Sequence, residues 1–510
     1  MTTDSRSEVV VQPPLTVLVI GTGFGGQLTA LHLLRRGITD FRILERRDFA
    51  GGTWCQNSYP GAAVDVPSPL YSLSSEPYPW SRMYAEQAEL RDYTEHVLDR
   101  HRLHEHIVLG AEVIGAEWDG EAWCVTTDDG TVHRARFLVN ASGPLSTPVV
   151  PAFAGLDDFT GTSFHTNGWD HDVDLEGRRV AVIGSGASAA QVIPAIQPEV
   201  ADLHVFQRSP HWVLPRHDRT FSPLQRRLLR LRPLQRLLRA SIYWRLETRV
   251  IGFKHSRRLL RLVAQRDALR HLEEQVPDET LRAQLTPDYT IGCKRIILSN
   301  TLFPALSAAN TTLHDRHDGI DHFDATGIVT ASGEHLDLDV VVFSTGYDAT
   351  DGVIPYEVRG RDGVRLAEVW HDFPRAYLGT TVPGFPNFFV VTGPNTGIGH
   401  TSAIFVIEAQ MEYVMRALDV VLAEGAASIE PTAVAEDDYT AMIHREMEKT
   451  VWHDGGCTSW YQSRSGRVVA MFPGFSFTFR RLARRFRPEH HVIERVAPAP
   501  VASTTERITA

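Results

Sequence analysis

The sequence predicts an α/β protein of two Rossmann-like dinucleotide-binding domains with an inserted helical subdomain. Three observations predict it. Two glycine fingerprints, VLVIGTGFGG and VAVIGSGASA, each follow an apolar strand and open a helix. The strand–loop–helix–strand order recurs after a β-rich interval, the repeat expected of doubly wound parallel sheets. Between Leu224 and His271, fourteen Lys and Arg stand among leucines at helical spacing, with few acids.

The elements run in order along the chain. Residues 17–20 are a short apolar strand, residues 27–36 show helical spacing, and Gly37 is a C-cap. Residues 41–45 return as a strand, completing one βαβ unit. Residues 107–139 alternate apolar and polar, with turn signals at Asp119-Gly120 and Asp129-Gly130, so a small antiparallel sheet is expected there. The second βαβ unit spans 178–208, and hinges are expected at FLVNASGPLSTP and FSTGYDATDG. The basic stretch reads as a helical subdomain with a solvated face over a core-facing leucine stripe; contact with an acidic lipid surface or partner is the sharper alternative. Residues 1–14 and 497–510 are expected to be mobile.

The two fingerprints differ in the strands after them. In the first, Gly21 makes the turn, Gly23 admits a pyrophosphate, and Gly26 lets helix and strand pack closely. Its next strand ends in Glu45, an acceptor for a ribose diol. The second has Gly184, Gly186 and Ala189, and its next strand ends in Gln207-Arg208-Ser209, suited to a 2′-phosphate. One site therefore reads as FAD and the other as NADPH. The expected partition is 15–148 and 348–496 for FAD and 149–347 for NADPH, with a helical insertion at about 220–280.

Composition bounds the rest. The 510 residues allow two or three domains, and 43% apolar content excludes wholesale disorder. A net charge of −11 argues against nucleic acid as the main partner. No apolar run reaches a membrane span and no signal peptide is visible. Cys55, Cys124, Cys293 and Cys457 are scattered without a CxxC pair, which fits a reducing cytoplasm and no dithiol centre. No metal is expected.

Between the halves lies FTGTSFHTNGWD, with Phe159, Gly161, His165, Trp169 and Asp170. Taken alone, such residues suit gripping a domain junction. The segment resembles the fingerprint FxGxxxHxxxW(P/D) of Baeyer–Villiger monooxygenases, FAD- and NADPH-dependent class B flavoprotein monooxygenases. A second family motif, (A/G)GxWxxxx(F/Y)P(G/M)xxxD, is met from Gly51 through Trp54 and Tyr59-Pro60-Gly61 to Asp65, with Ala63-Val64 where many members carry Arg-Cys or Arg-Val. The resemblance continues in GCKR, STGY, GPNTGIGHTS and GCTSWY, and is weakest in the basic stretch.

The resemblance implies roles. Arg295 matches the arginine over the flavin that stabilises its peroxide, and Asp65 the carboxylate that holds that arginine. Lys294 and Arg208, beside Ser209, match the pair on the NADPH 2′-phosphate. Trp460 matches a tryptophan reaching the nicotinamide ribose. Thr53, Trp54, Asp65 and Tyr71 match flavin-side contacts, and Val113 a residue at the adenine end. With Phe24, Ser185, Ala187, Ser188 and Gln191 of the two glycine loops, these complete the expected cofactor set. The implied reaction inserts oxygen from O₂ into a ketone through a flavin peroxide. A sulfur- or nitrogen-oxidising monooxygenase and a non-oxygenating NADPH-dependent flavoprotein stay open as alternatives, and the ketone is not legible.

Overall fold

A computed structural model describes residues 14–495. Apart from Pro14, the termini expected to be mobile lie outside the described residues, as does Val496 at the end of the second flavin segment. The first glycine unit forms as expected: strand Leu15–Ile20, helix Phe24–Arg35 and strand Phe41–Leu44, the strands parallel. Val17, Leu18 and Val19 are fully buried because both faces of the sheet are covered: Val17 and Val19 pack in the core with Leu28 and Leu31 of the helix, and Leu18 packs with Trp123, Val358 and Phe388.

The antiparallel meander also forms, through Val113–Trp118, Trp123–Thr127 and Val132–Asn140. Asp119 and Asp129 make its turns by accepting backbone N–H bonds with their own carboxylates, at 2.8 and 2.9 Å. It is not a separate small sheet, as the turn pattern suggested. Val132–Asn140 pairs in parallel with Leu15–Ile20, so the meander and the nucleotide strands make one eight-stranded sheet. Chain from beyond residue 348 returns to this sheet as Glu357–Arg359 and Phe388–Val390. The long helix Ala403–Glu424 then covers helix Phe24–Arg35, with the Thr29 hydroxyl against the Met411 sulfur at 3.3 Å.

The second unit is a five-stranded parallel sheet in the order Thr311–His314, Asp202–Phe206, Arg179–Ile183, Val340–Phe343, Thr162–His165. The second glycine loop leaves strand Arg179–Ile183 near the sheet centre, a switch point where open α/β sheets bind ligands. The two expected hinges run side by side. Val149 N donates to Gly346 O at 3.0 Å and Asp348 N to Thr147 O at 3.0 Å, so the sheets are joined by a paired double crossover.

The basic stretch is helical, in pieces that include Pro223–Leu228, Arg232–Glu247 and Arg266–Gln275. Its leucines do not all face a core. Leu229, Ile242, Leu246 and Leu260 are buried, but Leu224, Leu231, Leu234, Leu237 and Leu262 are exposed. The expectation of one core-facing stripe is therefore corrected: helical spacing shows that leucines share a face, and tertiary packing decides whether anything covers it.

Candidate active site

A cavity of about 240 Å³ runs along the first glycine loop and the end of its sheet. Gly21, Gly23, Phe24, Glu45, Thr53, Tyr71 and Val113 line it, bringing together residues from both FAD-type motifs. Gly21 has φ +96°, and a β-carbon there would lie 2.6 Å from the Ala141 carbonyl oxygen, so only glycine makes this turn. Gly26 packs beneath the loop, buried in the helix. Glu45 is 4% exposed, and its Oε2 accepts bonds from Thr22 N at 3.1 Å and Thr22 Oγ1 at 2.5 Å. The acid thus holds the glycine loop in shape while its other oxygen stands near Arg47 at 3.7 Å. Trp54 is a wall behind this cavity: its indole N–H donates to the Tyr71 hydroxyl at 3.1 Å.

The cavity fits a dinucleotide. The Ser142 hydroxyl on its wall is buried without a hydrogen-bond partner among the described residues, a group a bound ligand would satisfy. Arg46, Arg47, Glu112 and Ser142 line it too. Sequence reading missed them, although the two arginines directly follow Glu45.

The second glycine loop repeats the geometry. Gly184 has φ +131° and faces the Ser344 carbonyl, while the space beside Gly186 is open. Ser188 precedes helix Ala189–Ile196, and Ala189 is buried where Gly26 sits in the first unit. The Ser185 hydroxyl donates to Ser209 O at 2.9 Å and Lys294 Nζ to Ser209 Oγ at 2.6 Å. Ala187 is exposed on the loop, and exposed Arg208 stands near Lys294. Burial first, then the Arg208 charge, lowers the Lys294 pKa. Two cations sharing one loop fit a dianionic phosphate. Gln191, expected on the cofactor, also bonds across to the first unit. Its amide donates to Ala63 O at 2.8 Å and its oxygen accepts from Tyr59 OH at 3.0 Å, tying the second unit to the first. A glutamine within the helix can reach the neighbouring domain, which a single fingerprint cannot reveal.

Arg295 and Asp65, 230 residues apart, form a two-pronged pair: Nε to Oδ2 and Nη2 to Oδ1, both 2.6 Å. The carboxylate raises the arginine's already high pKa; burial acts against this, and Tyr461 and Tyr71 lie within its field. Both side chains of the pair are partly open, at 37% and 27% exposed. The pair stands beside the Tyr71 end of the cavity rather than on its lining.

Trp460 is 44% exposed and stacks edge-on against Tyr461 at 4.6 Å. Its loop is bonded to the Lys294–Arg295 segment: Cys293 and Cys457 form a disulfide across 164 residues of chain. The cysteines form no CxxC pair, but two of them meet across the fold. Spacing along the chain could not show that GCKR and GCTSWY meet in space. Cys55 and Cys124 are free.

The linker motif packs mainly within the second unit. Phe159 meets Phe323 at 6.0 Å, and Gly161 lies so close to the Phe159 ring and the Asp339 carbonyl that a β-carbon would collide with both. Burial lowers the His165 pKa; its Nδ1 accepts Asn167 N at 3.0 Å and its ring stacks edge-on against Tyr347. Trp169 packs on Phe164 at 5.0 Å, and Asp170 accepts Asp172 N at 3.0 Å. Asn167 Nδ2 donates to Tyr347 OH at 3.2 Å, which donates to Asn57 Oδ1 at 3.0 Å. This chain of bonds links three motifs, and sequence reading singled out neither Asn57 nor Asn167.

A family model for pyridine nucleotide-disulphide oxidoreductases matches residues 18–230. A Baeyer–Villiger monooxygenase of Pseudomonas aeruginosa is 45% identical over 475 residues, covering 92% of this chain and 90% of the relative. One of Streptomyces coelicolor is 44% identical, covering 97% and 95%. Among solved structures, an oxidized steroid monooxygenase bound to NADP is similar with TM-score 0.84 and 32% identity, covering 95% of this chain and 100% of that one. A closed cyclohexanone monooxygenase has TM-score 0.84 and 29% identity at the same coverage. With the paired glycine loops, the linker motif and the Arg295–Asp65 pair in one framework, the chain belongs to the Baeyer–Villiger monooxygenases.

Proposed function

We propose that this protein uses NADPH and O₂ to convert a ketone to an ester or lactone. One oxygen atom enters the carbon–carbon bond beside the carbonyl, and the other leaves as water with the two electrons of NADPH. The observation that carries the reading is the Arg295–Asp65 pair beside Tyr71, one residue from the Lys294 that reaches the second glycine loop. FAD, when bound, supplies hydride acceptance and dioxygen activation, chemistry that no side chain provides.

The chain's residues do the rest. Gly21, Gly23, Glu45 and Val113 hold the flavin dinucleotide, with 15–148 and 348–496 as its domain. Arg208, Ser209 and Lys294 hold the 2′-phosphate on 149–347. Arg295 keeps its proton at any working pH and presents a fixed positive charge to the oxyanion that develops on the substrate carbonyl. Asp65 sets the angle of that guanidinium through two bonds, so the charge needs no reorganisation during reaction. Trp460 closes the nicotinamide side and excludes water.

The test is turnover of a ketone panel with purified holoenzyme, NADPH and isotopically labelled O₂. A product heavier by one labelled oxygen and cleaved by an esterase supports the reading. NADPH consumption that yields only H₂O₂ across the panel overturns it, and sulfoxide formation without any ester points to heteroatom oxidation instead.

A further inference from the structure

The helix Arg232–Glu247 is apolar on two opposite faces. At 3.6 residues per turn, Gln235, Arg239, Ile242 and Leu246 share the inner face. Ile242 and Leu246 are buried there. Arg239 Nη1 donates to the carbonyls of Pro69, Leu70 and Ser72, which flank Tyr71. Leu234, Leu237 and Trp244 share the outer face and are 40%, 68% and 57% exposed. Phe477, itself 41% exposed, extends the patch, with its ring 6.0 Å from Trp244. Nothing in a helix's own stability requires leucine and tryptophan on that side, and contiguous apolar patches of this kind mark interaction sites.

The charge around the patch identifies the occupant. By the same spacing Arg236 flanks it on one edge and Arg245 on the other, both exposed and without an ion-pair partner among the described residues. Between Leu224 and His271 the chain has fourteen Lys and Arg and two acids, in a protein of net charge −11. Those two acids are occupied: Glu247 is buried on Ser476 and His400, and Asp267 pairs with Arg270. A second copy docking face to face would bring these arginines against each other. An apolar strip with an exposed tryptophan between unpaired arginines matches an anionic lipid surface, where the indole sits at headgroup depth and the guanidiniums meet phosphates.

We propose that the outer face of helix Arg232–Glu247 docks this enzyme on an anionic bilayer surface, without spanning it. No helix among the described residues is long and apolar enough to cross a membrane. Docked this way, the bilayer lies about one helix diameter, ~10 Å, from the segment holding Tyr71.

The test is co-flotation of the full-length holoenzyme with vesicles of phosphatidylglycerol and phosphatidylcholine, against phosphatidylcholine alone. Binding to the anionic vesicles only, reversed by high salt, is expected. Arg236→Gln with Arg245→Gln is expected to weaken binding about 30-fold, from ~1 kcal/mol per surface arginine at 1.4 kcal/mol per tenfold. Leu237→Ser is expected to weaken it as well, with NADPH oxidation in solution unchanged in both variants. A blue shift of tryptophan emission on vesicle addition, lost in Trp244→Phe, places the indole in the interface. Equal binding to both vesicle types, or none, overturns the proposal. So does a stable dimer in light scattering without lipid that Leu237→Ser disperses, because the patch would then be a contact between copies.

Discussion

Substituting Arg208→Ala should separate NADPH from NADH. Arg208 lies two residues beyond strand Asp202–Phe206, on the loop that the Ser185 hydroxyl pins through Ser209 O at 2.9 Å. Removing the side chain leaves that backbone bond intact, so the loop keeps its shape and the loss is confined to charge. A hydrogen bond to a charged group contributes about 1.5–3 kcal/mol. Arg208 is exposed and therefore screened, which puts its share near the lower bound, about 1.5 kcal/mol or roughly tenfold in kcat/KM. Lys294 is half-buried, with Nζ 2.6 Å from Ser209 Oγ, so its charge is screened less. The double variant with Lys294→Ala should lose about 3–4 kcal/mol in all, several-hundred-fold. NADH carries no 2′-phosphate, so its kcat/KM should change by less than about threefold in either variant. The assay is steady-state NAD(P)H oxidation, with stopped-flow flavin reduction to isolate binding. Equal losses for the two cofactors would refute the phosphate assignment, as would unchanged NADPH kinetics.

Four further outcomes are expected. Arg295→Ala should retain NADPH-dependent flavin reduction and lose ester formation by at least about a hundredfold, on the scale of one lost oxyanion donor. Asp65→Asn should lower ester yield per NADPH while sparing the reduction rate; product and H₂O₂ assays read both. NADPH binding should weaken at alkaline pH earlier than an ordinary lysine would dictate. Burial and Arg208 lower the Lys294 pKa, and only the protonated form attracts phosphate, so KM for NADPH rises as pH climbs through that lowered value. The NADH profile should stay flat, and Lys294→Arg should remove the alkaline rise. Cys457→Ser should release the Trp460 loop from Cys293, seen as faster proteolysis near Trp460 and a stability loss of about 2–4 kcal/mol. An unchanged cleavage rate and melting temperature would count against the bond as a loop tether.

Much of this protein was legible from local pattern. A glycine loop between an apolar strand and a helix is a short-range object, so both loops, and Glu45 and Arg208 just past the strands that follow them, could be located from neighbouring residues. The Asp-Gly turns of the meander were legible for the same reason, because an aspartate makes its turn with bonds that reach two or three residues. The linker motif and Arg295 became meaningful only through family resemblance, since a histidine in a loop or an arginine after a lysine has no distinctive local signature.

Tertiary structure decided whatever depends on segments far apart in the chain. Only the fold brings Arg295 to Asp65, bonds Cys293 to Cys457, ties the Gln191 amide to Ala63 of the first unit, and joins the meander to the nucleotide sheet. It also leaves Leu234, Leu237 and Trp244 uncovered. The physical reason is common to all: periodicity and turn chemistry are set within a few residues, but burial and pairing depend on which distant surfaces meet. No spacing rule along the chain contains that information.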